Sequence, residues 1–591
     1  MVDKVSSELS LAARRCRFAL WILLLLLTAA ILLFPTHLRY EYHAVESLYI
    51  FGDRLILFGV LYSVWMAALL ALLFLFRSRR DEWEKLALLC VFTIVFVSFW
   101  VLITPLGRYA DEVDNLAHVK YLQDVAEVLP DHPNFGYFSF PGIHLTGLAL
   151  TQVCGLGIFE AKTLFLVFIS LLSTVLLYLL CLKSLGSPRL ASLAVLIMLQ
   201  GNMLLCRQPT FWPGALSLVF LFVLLILLNK RVEAPFGAIA NRLLIVIAFA
   251  ALTITYLPTP VCLIFILLGV FVVQRIGRKS LLDWSIITLP VVMVLAWETY
   301  WATRMFEGLV GWGESFVKDL TWQGLAEHLL FLRVTGIYLG EYPPLWASLT
   351  RSFWLLVTYV VGGILAVVNL TRVRKLGLTE TMETAALLGI IVFYLIVQLL
   401  APGGSQYHRL LMYAHIFTVP IALGFLSKWF QPSRLRHLGL ALGLVLLLVL
   451  AFPTFLAHHD QVSTYKVYRY EYADGEFLSS IYGKGEGLLV YTADITVCAL
   501  RHSMPEARYA GRSPYEVLAD EDDFWRAMNK VVTGFENYKG TKVFVYSEKF
   551  TFAGQRVFAI EPTDPKWAEM EHRLEENFNK IYDNGHSKIF R

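Results

Sequence analysis

Apolar residues run in long, nearly unbroken blocks along most of this chain, and the pattern changes abruptly only near residue 457. Blocks long enough to cross, or nearly cross, a bilayer fall at 18–35, 55–76, 86–104, 161–182, 190–206, 214–229, 243–256, 260–274, 284–301, 353–370, 384–401, 408–427 and 438–456. These predict about thirteen transmembrane helices. The connections between them carry Lys and Arg in clusters: Arg14/Arg15/Arg17, Arg77/Arg79/Arg80, Lys183/Arg189, Lys230/Arg231/Arg242, Arg275/Arg278/Lys279, Arg372/Arg374/Lys375 and Lys428/Arg434/Arg436. All fall on one side when 141–156 is read as a helix lying at the interface rather than crossing, and the positive-inside rule makes that side cytoplasmic. The expectation is a multi-pass plasma-membrane protein with a cytoplasmic N-terminus and an extracytoplasmic C-terminus. The first block follows arginines as a signal peptide would, but it lacks a small-residue cleavage site and reads as an uncleaved first helix.

Beyond residue 457 the chain turns polar and alternates. Residues 488–492, 542–546 and 588–591 read as strands and 513–519 and 522–531 as helices, which gives a small extracytoplasmic α/β domain over 457–591. The fold class expected is therefore mainly α, a polytopic membrane protein with a small C-terminal α/β domain. At 57% hydrophobic and 16% charged, the composition agrees with a membrane chain. The net charge of +4 over 591 residues gives no reason to expect a nucleic-acid partner. Six of the seven cysteines lie in or beside apolar blocks, so neither a disulfide framework nor a zinc site is expected.

Candidate chemistry gathers in residues 102–145, LITPLGRYADEVDNLAHVKYLQDVAEVLPDHPNFGYFSFPGIHL, on the outer side. If 111–118 are helical, Asp111, Asp114, Asn115 and His118 share one face while Val113, Leu116 and Ala117 point away. Such an amphipathic helix can lie on the membrane surface with its carboxylates toward a pocket. Two readings of the carboxylates stay open beside an active site: Asp111, Glu112 and Asp114 can complement the positive start of the helix, or Asp111, Asp114 and His118 can ligate Mg²⁺ or Mn²⁺ through hard donors. No cofactor is otherwise required. Arg207 and Arg409 sit at outer ends of spans, against the sorting rule, and suit an anionic partner such as phosphate. The outer loop 302–352 is rich in Trp and Tyr and holds Glu341, which can face the same pocket.

Arg108, Tyr109, Ala110, Asp111 and Glu112, followed by FSFPGIH at 138–144, resemble the first outer loop of the GT-C superfamily of polyprenyl-phosphate-sugar glycosyltransferases. Protein O-mannosyltransferases and the lipid A aminoarabinose transferase are nearest in pattern, and YHRLLMYAHIFTVP at 407–420 is similar to their Arg-aromatic segment. The resemblance implies a bacterial or archaeal catalytic domain over 86–456, with an outer catalytic loop at 105–158 and 1–85 as an N-terminal transmembrane addition. It implies transfer of a sugar from a polyprenyl (dolichyl) phosphate donor in the bilayer to a glycan, lipid or protein acceptor, with inversion. Asp111 and Glu112 would then be catalytic, Asp111 as general base. Arg108, Asp114, His118, His144, Arg207, Glu341, His408 and Arg409 would bind substrate. An oligosaccharyltransferase, a lipid-linked glycan polymerase or ligase, and a transporter or flippase are the alternatives; a transporter would be expected to keep ionisable groups near the bilayer midplane.

Overall fold

The computed structural model describes residues 2–41, 52–74, 81–103, 110–128, 139–201, 210–233, 239–277, 284–303, 360–400 and 406–429, short stretches at 445–450, and parts of 469–591. In chain order the helices of the apolar region are α1 (Val2–Glu41), α2 (Gly52–Phe74), α3 (Asp81–Ile103), α4 (Ala110–Val125), α5 (Gly142–Cys154), α6 (Ile158–Leu185), α7 (Pro188–Gly201), α8 (Pro213–Glu233), α9 (Ile239–Thr255), α10 (Pro258–Gly277), α11 (Ser285–Tyr300), α12 (Val360–Thr371), α13 (Leu378–Leu400) and α14 (Gln406–Trp429). Local chemistry sets several ends. Pro188, Pro213 and Pro258 open their helices at the first position, where a missing N–H costs nothing. Gly186 closes α6 in the left-handed conformation, φ 60°, and its N–H donates to the Leu182 carbonyl at 2.8 Å.

Among the described residues, five helices are long and apolar enough to cross a membrane: Arg14–Leu33, Leu57–Phe74, Ile158–Leu185, Pro258–Gly277 and Thr379–Ile396. Phe18, Leu26, Phe168 and Val292 lie exposed on such helices or on the shorter apolar ones, a surface that water would not tolerate and lipid would. Arg17 pairs with Glu84, which also accepts from Trp21 Nε1, so α1 is tied to α3 by charge as well as by apolar packing. A very close helix crossing lies between α10 and α13. A Cβ on Gly269 would fall 2.3 Å from the Ala385 carbonyl oxygen, and one on Gly389 would fall 2.1 Å from that of Phe265. Only glycine lets the two backbones meet there. Phe265 and Phe393 stack beside the crossing, with centroids 4.3 Å apart.

The C-terminal part holds α15 (Arg469–Tyr482), β1 (Leu489–Tyr491), β2 (Arg508–Ala510), β3 (Lys542–Ser547), α16 (Pro565–Asn577), β4 (Lys580–Asp583) and β5 (Ser587–Phe590). The strands form one sheet in the order β2-β1-β3-β5-β4. β1 is parallel to β2 and β3, while β5 is antiparallel to β3 and β4. Alternation along β3 divides the core: Val543 and Val545 pack with Leu478 of α15, whereas Phe544 and Tyr546 pack with Trp567 and Leu574 of α16. A helix therefore contributes to the core on each face of the sheet. The strands expected at 488–492, 542–546 and 588–591 are present within a residue or two. The helix expected at 513–519 lies outside the described residues, and of 522–531 only scattered positions are described.

Candidate functional site

The first turns of α4 and α5 build a buried polar node. On α4, Glu112 and Asn115 stand one turn apart, and both reach the peptide of Phe211 in the connection leading into α8. The Phe211 N–H donates to Glu112 Oε1 at 3.0 Å, and Asn115 Nδ2 donates to the Phe211 carbonyl at 3.2 Å. Lys162, in the first turns of α6, stands 3.8 Å from the same Glu112 oxygen, and the two side chains are 1% and 2% exposed. Three separate segments thus meet at one carboxylate and one amide.

His144 enters from α5. Its Nε2 lies 2.8 Å from Asn115 Oδ1. With the Asn115 amide nitrogen committed to a carbonyl, its oxygen must accept, so His144 Nε2 carries the proton. Burial holds the His144 imidazole well below its ordinary pKa, and the neighbouring His118 adds to that effect, so the ring is neutral. His118 stacks on it, rings 4.6 Å apart and 13° from parallel. His118 Nδ1 lies 2.6 Å from the Asp114 backbone carbonyl, which can only accept, so Nδ1 carries that ring's proton.

Small residues bring α5 this close. A Cβ on Gly142 would lie 2.5 Å from Thr255 Oγ1 at the end of α9, and one on Gly147 would lie 2.8 Å from both Phe211 and Val119. Just upstream, Trp297 Nε1 of α11 donates to the Ser139 carbonyl at 3.0 Å, fixing the approach to the Pro141-Gly142 turn. Phe165, Ile143, Leu116 and Val119 close the node with apolar packing.

One expectation about α4 is corrected. The helix exists, but every residue from Glu112 to Val119 is buried, so it is not a surface helix with a wet acidic face. Its two sides face different neighbours: polar groups meet Phe211, Lys162 and His144, and apolar groups meet α6 and α8. Glu112, expected beside Asp111 as a catalytic group, is engaged by a lysine and a backbone N–H. Asp114, His118 and His144 are all buried in this region. Asp111 occupies the first turn of α4 and His408 and Arg409 the first turn of α14, but their side chains lie outside the description. Arg108, Arg207 and Glu341 lie outside the described residues. No group of three His, Cys, Asp or Glu side chains that could hold a metal occurs among the described residues, and His118 Nδ1 is turned to a carbonyl. The described donors therefore do not by themselves fit Mg²⁺ or Mn²⁺.

Lys162 was not among the expected site residues. Its signal is nonetheless present in FEAKTLFL: a basic residue at the end of a span that the expected orientation turns outward, the same anomaly that marks Arg207 and Arg409.

The described architecture is that of a multi-helix membrane protein with a polar node at one end of its bundle. No protein-family model matches the chain, and no curated protein matches it. Among solved structures it is similar to ArnT from Cupriavidus metallidurans in the apo state, at 12% identity and a TM-score of 0.46, over 87% of this chain and 98% of that one. It is also similar to the Archaeoglobus fulgidus oligosaccharyltransferase in the apo form, at 10% identity and a TM-score of 0.48, over 87% of this chain and 74% of that one. Likenesses at this level assign no role to any residue of this chain.

Proposed function

We propose that the protein transfers a sugar from a polyprenyl-phosphate carrier to an acceptor on the extracytoplasmic face, with Asp111 as general base. The observation supporting this reading is the seating of α4. Asp111 directly precedes Glu112, whose side chain is held by Lys162 and the Phe211 N–H, so the helix turn that presents Asp111 has little freedom to rotate. The start of a helix also favours the ionised carboxylate that a base needs.

In the proposed step the acceptor hydroxyl or amide attacks the anomeric carbon opposite the phosphate. Its proton passes to Asp111, the carbon–oxygen bond to phosphate breaks, and the lipid phosphate leaves with the electron pair. Inversion follows from attack on the far face. Arg207 and Arg409 are the proposed cations for the leaving phosphate, with Arg108, His408 and Glu341 around the sugar. Glu112 and Asn115 act through position, holding the segment that follows Arg207. No step is assigned to a metal.

Reconstitution with defined polyprenyl-phosphate sugars tests the reading. Asp111→Asn should lower transfer by roughly 10²- to 10⁴-fold, the range for loss of a general base. Transfer equal to the unsubstituted protein would exclude Asp111 as base and favour a glycan polymerase or ligase working through other residues.

A further inference from the structure

Roughly 28 Å of helix separates Lys162 from Cys181 on α6, at 1.5 Å per residue. At that remote end lies a cavity of about 50 Å³ walled by α6, α8, α10, α13 and α14. Leu225, Ile266 and Phe417 are among its apolar lining, and Asn229, Thr379 and Glu383 are polar side chains that line it. Glu383 sits within the apolar window Thr379–Ile396, about a turn beyond its start. Ser184 is the polar group beside its carboxylate, and its charged neighbour, Glu380, has the same sign. Among the described residues no Lys or Arg pairs with it.

The ordinary explanation for an acid near a helix start fits Glu380 better. Glu380 Oε2 lies 3.2 Å from the Gly377 N–H, as a helix-capping carboxylate should. Glu383 lies a turn deeper and faces the cavity. An ionisable group inside an apolar span, turned to the bundle interior, is costly as the bare charge unless a proton or a cation neutralises it.

We propose that this cavity binds a monovalent cation, with Glu383 as the neutralising ligand and the Asn229 and Thr379 side-chain oxygens completing an oxygen shell with water. A volume of about 50 Å³ holds roughly four water-sized particles, enough for an alkali ion with a few waters or for one inserted ammonium group. It is too small for a bulky organic cation or a lipid chain. One carboxylate is also a poor match to Ca²⁺ or Mg²⁺, which seek more oxygen ligands and stricter geometry. The site is independent of the proposed transfer reaction.

Cys181 lines the same cavity and Cys262 on α10 does not; both thiols are buried, so each is alkylated only when the packing around it opens. The full chain in detergent would be alkylated with a small maleimide in sodium, potassium or N-methyl-D-glucamine chloride at equal ionic strength. Cys181 labelling should slow by roughly tenfold in the alkali salt when that salt is ten times its Kd, with Cys262 unchanged and Tm raised in parallel. Glu383→Gln should abolish both effects. Should that variant fail to fold, Thr379→Val should weaken them while keeping the charge. Adding phosphatidylethanolamine rather than phosphatidylglycerol in glucamine chloride separates the sources: protection there assigns a lipid ammonium, and protection by sodium or potassium alone assigns a free ion. Equal labelling in every condition, or a Glu383→Gln protein that responds like the unsubstituted one, overturns the proposal.

Discussion

The two ends of α6 meet carboxylates in opposite states. Near its start Glu112 has a lysine 3.8 Å away and a backbone N–H on the same oxygen. Near its end Glu383 has the Ser184 hydroxyl and a like-charged neighbour. Equal chemistry therefore serves different ends. The first carboxylate is paired by the fold, so its contribution is to hold three segments in register. The second receives no cation from the described side chains, and the proposed ion would supply one.

The largest expected effect tests the first half of that contrast. Lys162→Met leaves Glu112 buried without its cation, and loss of one partner from a buried pair costs about 3–5 kcal/mol. The double variant Lys162→Met with Glu112→Gln should recover most of it, because a neutral amide still accepts from Phe211. Glu383→Gln, measured in glucamine chloride, should cost under about 1 kcal/mol or stabilise, since no protein cation is lost. Denaturant unfolding of the three proteins decides it, and equal losses for Lys162→Met and Glu383→Gln would erase the distinction.

A smaller effect is expected at the α10–α13 crossing, which borders the Glu383 cavity. Gly389→Ala places a Cβ where the Phe265 carbonyl already stands, and the helices must part. Overpacking of this kind costs about 1–3 kcal/mol. Because Ile266, Leu267 and Ala386 line the cavity, the same substitution should also weaken protection of Cys181 by alkali salt. Stability unchanged within experimental error would mean that the crossing relaxes freely and does not set the cavity wall.

Much of this architecture could be read from the chain. Long apolar blocks gave most of the described helices before residue 430, the expected span at 438–456 lying largely outside the described residues, and alternation gave β1, β3 and β5. What escaped had physical reasons. β2 is three residues, RYA, and β4 pairs KIYD along an edge, too short and too exposed for alternation to register. By contrast α16 did carry a signal, with Trp567, Met570 and Leu574 at helical spacing and all buried. The α4 helix was expected from its spacing, but spacing alone cannot tell a face wetted by solvent from one wetted by other side chains. Lys162 and the Phe211 peptide come from 50 and 99 residues beyond Glu112, and no local pattern announces a partner at that range.

The smallest effect concerns His144 and whether the node is closed to protons. With 13 residues α5 is too short to cross a bilayer, and burial with His118 nearby depresses the His144 pKa well below 6.5. Above about pH 7.5 the ring is neutral whether the chain is folded or not, so it contributes no pH dependence. Below 6.5 the unfolded chain takes up the proton and the folded one does not, so stability rises with pH across this window and is lost as pH falls. The slope from one group is at most about 1.4 kcal/mol per pH unit, and it levels off below the folded pKa. His144→Gln keeps an N–H for Asn115 Oδ1 but has no titrating ring. Unfolding free energies at pH 5, 6, 7 and 8 should therefore converge for the two proteins at high pH and separate at low pH, with the histidine protein losing more. Parallel curves would mean that His144 takes up its proton inside the folded node, and the picture of a sealed end would fail there.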